Sequence, residues 1–411
     1  ACSCRSCGWR RMSGRAGRAQ PTELLFALAR LRPAPGAVEE LVGLLRGNRA
    51  PGGDAAAVLR QARETGVAPL LYRHLAGAAA VPQGVLRELG RSYLENVRWN
   101  RECLGEAAGI LAALRAAGIA AIPLKGAVGA LTLLGDEGLY AGGDIDLLVR
   151  RRDLESAIGT LWSLGYREGP VALRDDLAAS YHHCLVRGRF WVELHWNLVE
   201  QPFQADPDFW WEDAAPCRTP AGDAWALAPE KLLLALIRRL FARGFSPLRL
   251  FVLPVAVANG GAGPLDWQRF LGAARRCGME RVSRFALALM QERLGAEVPE
   301  SVAAPGRAHR RLRARLERAL LGAAPIRQPT RLRLLLLCDS AVQVQGTVAR
   351  RLFPPVAEIR WRYGEAARGW RLPALYLLNP LLALLEPETR ARLTGRPAPP
   401  AGCPARGGAV R

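Results

Sequence analysis

At 411 residues, half of them apolar, the chain is long enough for two or three domains, each with its own core. No apolar run approaches the roughly 20 residues of a membrane span, since the richest, Leu334 to Leu337, is cut by Arg331, Arg333 and Asp339; a soluble protein is expected. The formal charge of +20 suits nucleic acid or an anionic surface, yet all but two of the 57 basic residues are arginine, in a chain also rich in alanine, glycine and proline, the bias that a GC-rich genome writes.

In chain order, the first stretch carries Cys2, Cys4 and Cys7 with no fourth metal ligand at a useful spacing, and no long apolar segment comes after it, so neither a zinc site nor a signal peptide is supported. Residues 1–20 are expected to be a disordered or non-native leader, with Met12 as a natural start. The other cysteines are scattered and the total of nine is odd, as in a reduced cytoplasmic protein. From 21 to 118 the spacing predicts helices over Glu23–Leu31, Val38–Leu45, Ala55–Glu64, Val85–Val97 and Arg101–Ala117, the last closed by Gly118, a helical lead-in that packs on a core beginning at Ile119.

Residues 119–215 read as the core: a strand Ile119–Leu124, the pair Lys125-Gly126, a helix Ala127–Leu134, a strand at Gly143–Val149, and an amphipathic helix Arg151–Leu164 with Asp153 at its N-cap. Two strands, Tyr181–Arg187 and Arg189–Val199, form a hairpin at Gly188. Beyond Trp210-Trp211 the chain is expected to turn helical. Residues 216–325 hold helices over Pro229–Ala242, Leu265–Cys277, Arg281–Leu294 and a basic helix Arg307–Leu321; 326–395 form a C-terminal helical extension, and 396–411 a disordered tail.

Chemistry concentrates in the middle. Period two puts Asp144 and Asp146 side by side, with Ile145, Leu147 and Val149 pointing into a core. Two carboxylates roughly 4 Å apart repel by about 4 kcal/mol at an effective dielectric near 20. A divalent cation removes that repulsion, and hard oxygen ligands favour Mg²⁺ or Mn²⁺. Alone, the Asp-x-Asp reads equally as a strand end with one solvated and one capping aspartate. Gly126 at a strand-to-helix turn allows backbone N–H groups to approach an anion, with Lys125 aimed the same way; a plain turn with a surface lysine is the other reading. Glu193, His195 and Asn197 alternate with Val192, Leu194 and Trp196; beside the Asp144 strand, Glu193 becomes a third carboxylate. His195 shares that face, either near substrate or as a structural histidine, and one of His182 and His183 could face the same way. Three acids, a glycine turn and a lysine make a phosphoryl- or nucleotidyl-transfer site using two metals. The arginines between His309 and Arg315 read as a solvated helix face or an RNA or phosphate patch, with no interleaved aromatics to stack bases.

The run Leu124-Lys125-Gly126, then Gly143-Asp144-Ile145-Asp146-Leu147-Leu148-Val149, Leu164-Gly165-Tyr166 and Glu193-Leu194-His195-Trp196 resembles the uncharacterised nucleotidyltransferase family of the polymerase-β-like superfamily. The resemblance extends through Asp266-Trp267, Arg351–Pro355 and Tyr376–Pro380, about residues 20 to 385. It implies an α+β fold, a mixed sheet flanked by helices, with Asp144 and Asp146 binding two metals and Glu193 activating the attacking hydroxyl. Lys125, Gly126, Gly143 and His195 then become substrate contacts, and the later helices form the cleft wall that chooses the acceptor. The implied activity is metal-dependent transfer of a nucleoside monophosphate from a nucleoside triphosphate to an unknown hydroxyl, releasing pyrophosphate. The alternative is an inactive member that binds a nucleotide or protein partner; RNA binding through arginine is a third reading. Two departures concern substrate contacts: Tyr140 stands where relatives often carry arginine, and Pro254 where an acidic residue is common.

Overall fold

The helical spacings of the first hundred residues become α1 (Pro21–Leu28), α2 (Ala37–Gly47), α3 (Asp54–Glu64), α4 (Ala68–Leu75) and α5 (Gln83–Ala116) in the computed structural model. It describes residues 21–47, 54–78, 80–169, 181–303, 334–354 and 371–384, with 356, 359, 363 and 369 as single positions. The leader with its three cysteines, the basic helix expected at Arg307–Leu321 and the tail lie outside the described residues.

Two elements here differ from expectation. Helix α4 forms where Ala68-Pro69 reads as a break, because proline is tolerated in a first helical turn and Leu70, Leu71 and Leu75 behind it are buried. The helices expected at Val85–Val97 and Arg101–Ala117 are one helix of 34 residues, because Arg98, Trp99 and Asn100 contain no breaker. At about 1.5 Å per residue α5 is roughly 50 Å long, and Trp99, Asn100, Cys103, Ala107, Ile110, Leu111 and Leu114 mark its buried stripe. It ends as expected at Gly118, whose φ of 73° only glycine adopts freely.

The chain then enters the sheet: β1 (Ala121–Pro123), α6 (Gly126–Leu134), β2 (Ile145–Val149), α7 (Leu154–Ser163), β3 (Arg167–Glu168), β4 (His182–Arg187) and β5 (Phe190–His195). The five strands run in the order β1-β2-β5-β4-β3. The β2–β5 pair is parallel and the other pairs antiparallel, so the fold is α+β with a mixed sheet. Both edge strands are two or three residues long, which limits edge-to-edge pairing. On one face Ile145, Leu147, Val149, Val192 and Leu194 pack with Ile110 and Leu114 of α5 and Leu154, Ile158 and Leu161 of α7. The opposite face carries Asp146, Leu148, Glu193 and His195.

Asp153 stands at the N-cap of α7 as expected, but its side chain makes no capping hydrogen bond. After Trp210-Trp211 a second hairpin, β6 (Ala215–Thr219) and β7 (Gly222–Ala226), precedes the helices. Its strands lack the β-branched and aromatic alternation that marks strands, and its tight turn is closed by Thr219, whose hydroxyl donates to the Gly222 carbonyl at 2.8 Å. The helices come next as α8 (Pro229–Ala242), α9 (Val252–Ala258), α10 (Trp267–Arg276), α11 (Glu280–Leu294), α12 (Glu300–Ala303), α13 (Ala341–Leu352) and α14 (Arg371–Leu384). Asp266 caps α10, accepting from the Gln268 and Arg269 N–H groups. Helices α1–α4 share one apolar cluster with α8–α11, and Ile122, Leu124 and Leu148 join it from the sheet. No helix among the described residues is long and apolar enough to cross a membrane.

Candidate active site

The parallel β2–β5 register sets Asp146 opposite Glu193 and Leu148 opposite His195. Asp144 lies one residue before β2, at the strand mouth. Asp144 and Asp146, two residues apart, therefore meet Glu193, 47 residues later in the chain, at one end of the sheet. Lys125, N-cap of α6, closes the group: its Nζ lies 2.7 Å from Asp146 Oδ1 and 3.4 Å from Asp144 Oδ2. Lys125 is thus not a surface lysine, and in this state it neutralises the aspartates. Burial and the nearby Arg239 would lower its pKa, but Asp144, Asp146 and Glu193 together raise it, so the ammonium stays charged.

His195 Nε2 lies 3.1 Å from Asp146 Oδ1 and 3.3 Å from Glu193 Oε2. Burial alone would lower its pKa, and these two carboxylates raise it instead. Glu193 responds in the opposite sense: burial pushes it up, while the His195 hydrogen bond and Lys125 hold it well below the usual carboxylate range. Next to His195 in the sheet stands His182, with ring centroids 5.2 Å apart. Burial, and then the charge of His195, push the His182 imidazole down to about 4, so it stays neutral at pH 7. His183 points to the other side, where its Nε2 lies 2.7 Å from Glu168. Of the two histidines, His182 therefore faces the site.

Asp146 is 1% exposed, and its Oδ2 is buried without a hydrogen-bond partner. A buried carboxylate oxygen left unpaired is costly, and its neighbours Asp144 and Glu193 offer further hard oxygens. Asp146, Glu193 and His195 each present one ligand atom within 4.8 Å of the others. The oxygen donors fit Mg²⁺ or Mn²⁺.

Gly126 is required by a close approach. Its φ is 71°, and a Cβ there would lie 2.9 Å from the Asp144 carbonyl oxygen, so the α6 turn and the residue leading into β2 pack backbone to backbone. Gly143 is exposed, and a Cβ on it would meet nothing within 4 Å, leaving open space beside Asp144.

The loop from Asp136 to Gly142, which delivers Asp144, is clamped by one face of α5. The Tyr93 hydroxyl donates to Asp136 at 2.9 Å and Asn96 Nδ2 to the Gly138 carbonyl at 2.9 Å. The fully buried Asn100 donates to the carbonyls of Glu137 (2.6 Å) and Tyr140 (2.8 Å) and accepts from Gly142 N–H at 3.2 Å. Tyr93, Asn96 and Asn100 fall at three- and four-residue spacing, a polar stripe on a buried helix face that sequence reasoning passed over. Asn100→Ala is expected to cost about 2–3 kcal/mol, because it strands three backbone groups, two of them buried. Urea unfolding measures the loss, and an unchanged midpoint would contradict the clamp.

Tyr140, one of the two departures, has its hydroxyl 3.0 Å from Arg239 Nη1 of α8, from which it accepts a hydrogen bond. A guanidinium thus approaches the site from a different element. Pro254, the other, is buried in α9, which packs on α6.

The model of the family described as uncharacterised nucleotidyltransferase matches residues 51–295, which hold all five strands of the sheet and the acidic cluster. No curated protein and no solved structure matches the chain. With most of its length, the mixed sheet and the converging carboxylates inside that match, the chain belongs to the uncharacterised nucleotidyltransferase family.

Proposed function

We propose that the chain is a metal-dependent nucleotidyltransferase, moving a nucleoside monophosphate from a nucleoside triphosphate to a hydroxyl acceptor. The observation that carries this reading is the convergence of Asp144, Asp146 and Glu193 on Lys125 and His195, with the buried Asp146 Oδ2 left unpaired. Asp144, Asp146 and Glu193 would hold Mg²⁺ or Mn²⁺. When bound, the cation neutralises charge developing on the phosphates and makes the acceptor hydroxyl more acidic. Lys125, relieved of the aspartates, is then free to neutralise phosphate oxygens, and the exposed backbone at Gly143 leaves room for the nucleotide. Glu193 accepts the proton of the acceptor hydroxyl or helps to hold a second cation. The acceptor oxygen bonds to the α-phosphorus, the bond to the bridging oxygen breaks, and pyrophosphate leaves. Helices α10–α12, beyond α8, would form the acceptor side of the cleft.

The Lys125–Asp146 ion pair also suits a second reading, a binding protein that recognises a nucleotide or a partner without turnover, since it balances the site's charge with no cation. Labelled triphosphates separate the two. With Mg²⁺, label at the α-phosphate is expected to pass to an acceptor while γ-label leaves in pyrophosphate. Transfer of γ-label would contradict nucleotidyl transfer, and tight binding with no transfer to any acceptor tested would favour the binding protein.

A further inference from the structure

Arginine is so common in this chain that most arginines carry no message, and most of those near the site are paired. Arg238 lies 2.5 Å from Glu200 and stacks over the Tyr181 ring at 4.5 Å. Two others differ. Arg239 gives a hydrogen bond to the Tyr140 hydroxyl and has no carboxylate within ion-pair distance among the described residues, although it acts electrostatically on Lys125, Asp144 and Asp146. Arg249 is half-buried, and among the described residues its guanidinium has neither a hydrogen bond nor an ion pair.

Arg249 is nonetheless held in place. Its backbone N–H donates to the Thr65 carbonyl at 3.0 Å. Its aliphatic stem lies against Gly66, where a Cβ would come within 2.6 Å of Arg249 Cδ. The connection from α8 turns sharply to bring it there: Gly244 and Phe245 are both left-handed, with φ of 65° and 60°. For a phenylalanine that is a strained conformation, and the fully buried Phe245 ring, packed on Phe251 and Phe285, holds it. The helix that Arg249 leads into, α9, packs on α6, which starts at Lys125, and the guanidinium lies within electrostatic reach of Arg239, of Arg243 one turn along the α8 axis, and of Tyr140 and Asp144. Burial first, and then Arg239 and Arg243, lower its pKa. A structural arginine gains a partner where it is buried; this one is pinned by its stem among like charges, beside a site whose own lysine is engaged by aspartates.

We propose that Arg239 and Arg249, with Arg243 at the exposed end, form the subsite that takes the β- and γ-phosphates of the nucleoside triphosphate. This rests on the nucleotidyltransferase reading and deepens it. The guanidinium forks match phosphate oxygens in geometry as well as charge, and the subsite draws the polyphosphate toward the α8 side of the acidic cluster, so the leaving pyrophosphate departs along the arginines. Tyr140 is a positioning residue that holds Arg239 at the meeting point of the two charge clusters.

The test uses the full chain with inorganic tripolyphosphate, a nucleoside triphosphate and the corresponding nucleoside as calorimetric ligands, all with Mg²⁺, comparing wild type with Arg249→Gln and Arg249→Lys. Arg249→Gln is expected to weaken tripolyphosphate and triphosphate binding about 10- to 100-fold, the worth of a charge-assisted contact, and Arg249→Lys to lie in between. The ligand-free melting temperature of Arg249→Gln is expected to equal or exceed that of wild type, since the change removes a repelled charge. Affinities within twofold of wild type would overturn the subsite while leaving the enzyme reading intact. A fall in ligand-free melting temperature alongside the lost affinity would make Arg249 structural and overturn it too. Wild type that binds the nucleoside but neither polyphosphate would also remove the subsite. Wild type that binds no ligand at all would remove the nucleotidyltransferase reading itself, and the subsite with it.

Discussion

Asp146→Asn is expected to cut nucleotidyl transfer by at least ~10³-fold while the chain remains folded. Asp146 is the most enclosed of the three carboxylates: one oxygen receives Lys125 at 2.7 Å and His195 at 3.1 Å, and the other is buried and unpaired. Asparagine keeps the shape but replaces one oxygen with an NH₂ group, which cannot ligate a cation and would oppose the donors on Lys125 and His195. Losing a cation's stabilisation of transition-state charge costs several kcal/mol, which is three or more decades in rate at about 1.4 kcal/mol each. Stability should fall less than in Lys125→Met: the substitution weakens the Lys125 and His195 pairs of Asp146, but it leaves Lys125 its Asp144 partner and relieves the repulsion from Asp144. Transfer assays alongside circular-dichroism melting check both halves. Wild-type turnover in a folded variant would show that the acidic cluster is not the catalytic centre.

Lys125→Met carries the second large effect, on stability before activity. The ammonium is the nearest cation to two aspartates that otherwise repel each other, and its own side chain is only 15% exposed. Removing one partner of a buried ion pair typically costs 3–5 kcal/mol, and about that loss is expected in divalent-free buffer. Methionine fills similar volume, so the loss reports charge more than packing. Millimolar Mg²⁺ is expected to recover more stability in the variant than in wild type, because a cation no longer competes with the lysine and ligand binding adds RT ln(1 + [L]/Kd) to the folded state. Thermal unfolding with and without Mg²⁺ measures this. A variant as stable as wild type without metal, and indifferent to Mg²⁺, would contradict the view that Lys125 balances the site.

The parts of the site legible in the sequence were those written in local patterns. Strand alternation placed Glu193 and His195 on one face, and the apolar residues flanking Asp146 announced a buried strand. The adjacency of β2 and β5 was needed to join them, and the register of Asp146 with Glu193 supplies it. Gly126 stood out as a turn glycine, although the group it makes room for is the Asp144 carbonyl, a contact no local pattern reveals.

The features hidden from the sequence depend on contacts between distant segments. Asn100 lies in the middle of a long helix, where a polar residue normally faces water; its role depends on a loop about 40 residues later. Arg239 and Arg249 are two among dozens of arginines, distinguished by their surroundings and not by any motif. The β6–β7 hairpin is invisible in the local pattern because Ala215-Pro216-Cys217-Arg218-Thr219 has weak strand propensity, and its place beside β1 and α5 is set by tertiary packing. His182 and His183 could not be told apart until pairing with His195 fixed which one faces the acidic cluster.

The most direct test of the central claim is Mg²⁺-dependent binding of each nucleoside triphosphate, measured by calorimetry on wild type and on an Asp144→Asn, Asp146→Asn double variant of matched melting temperature. Binding by wild type that requires Mg²⁺ and disappears in the double variant is the predicted result. Equal binding by both proteins, or no binding to any triphosphate by folded wild type, would contradict it.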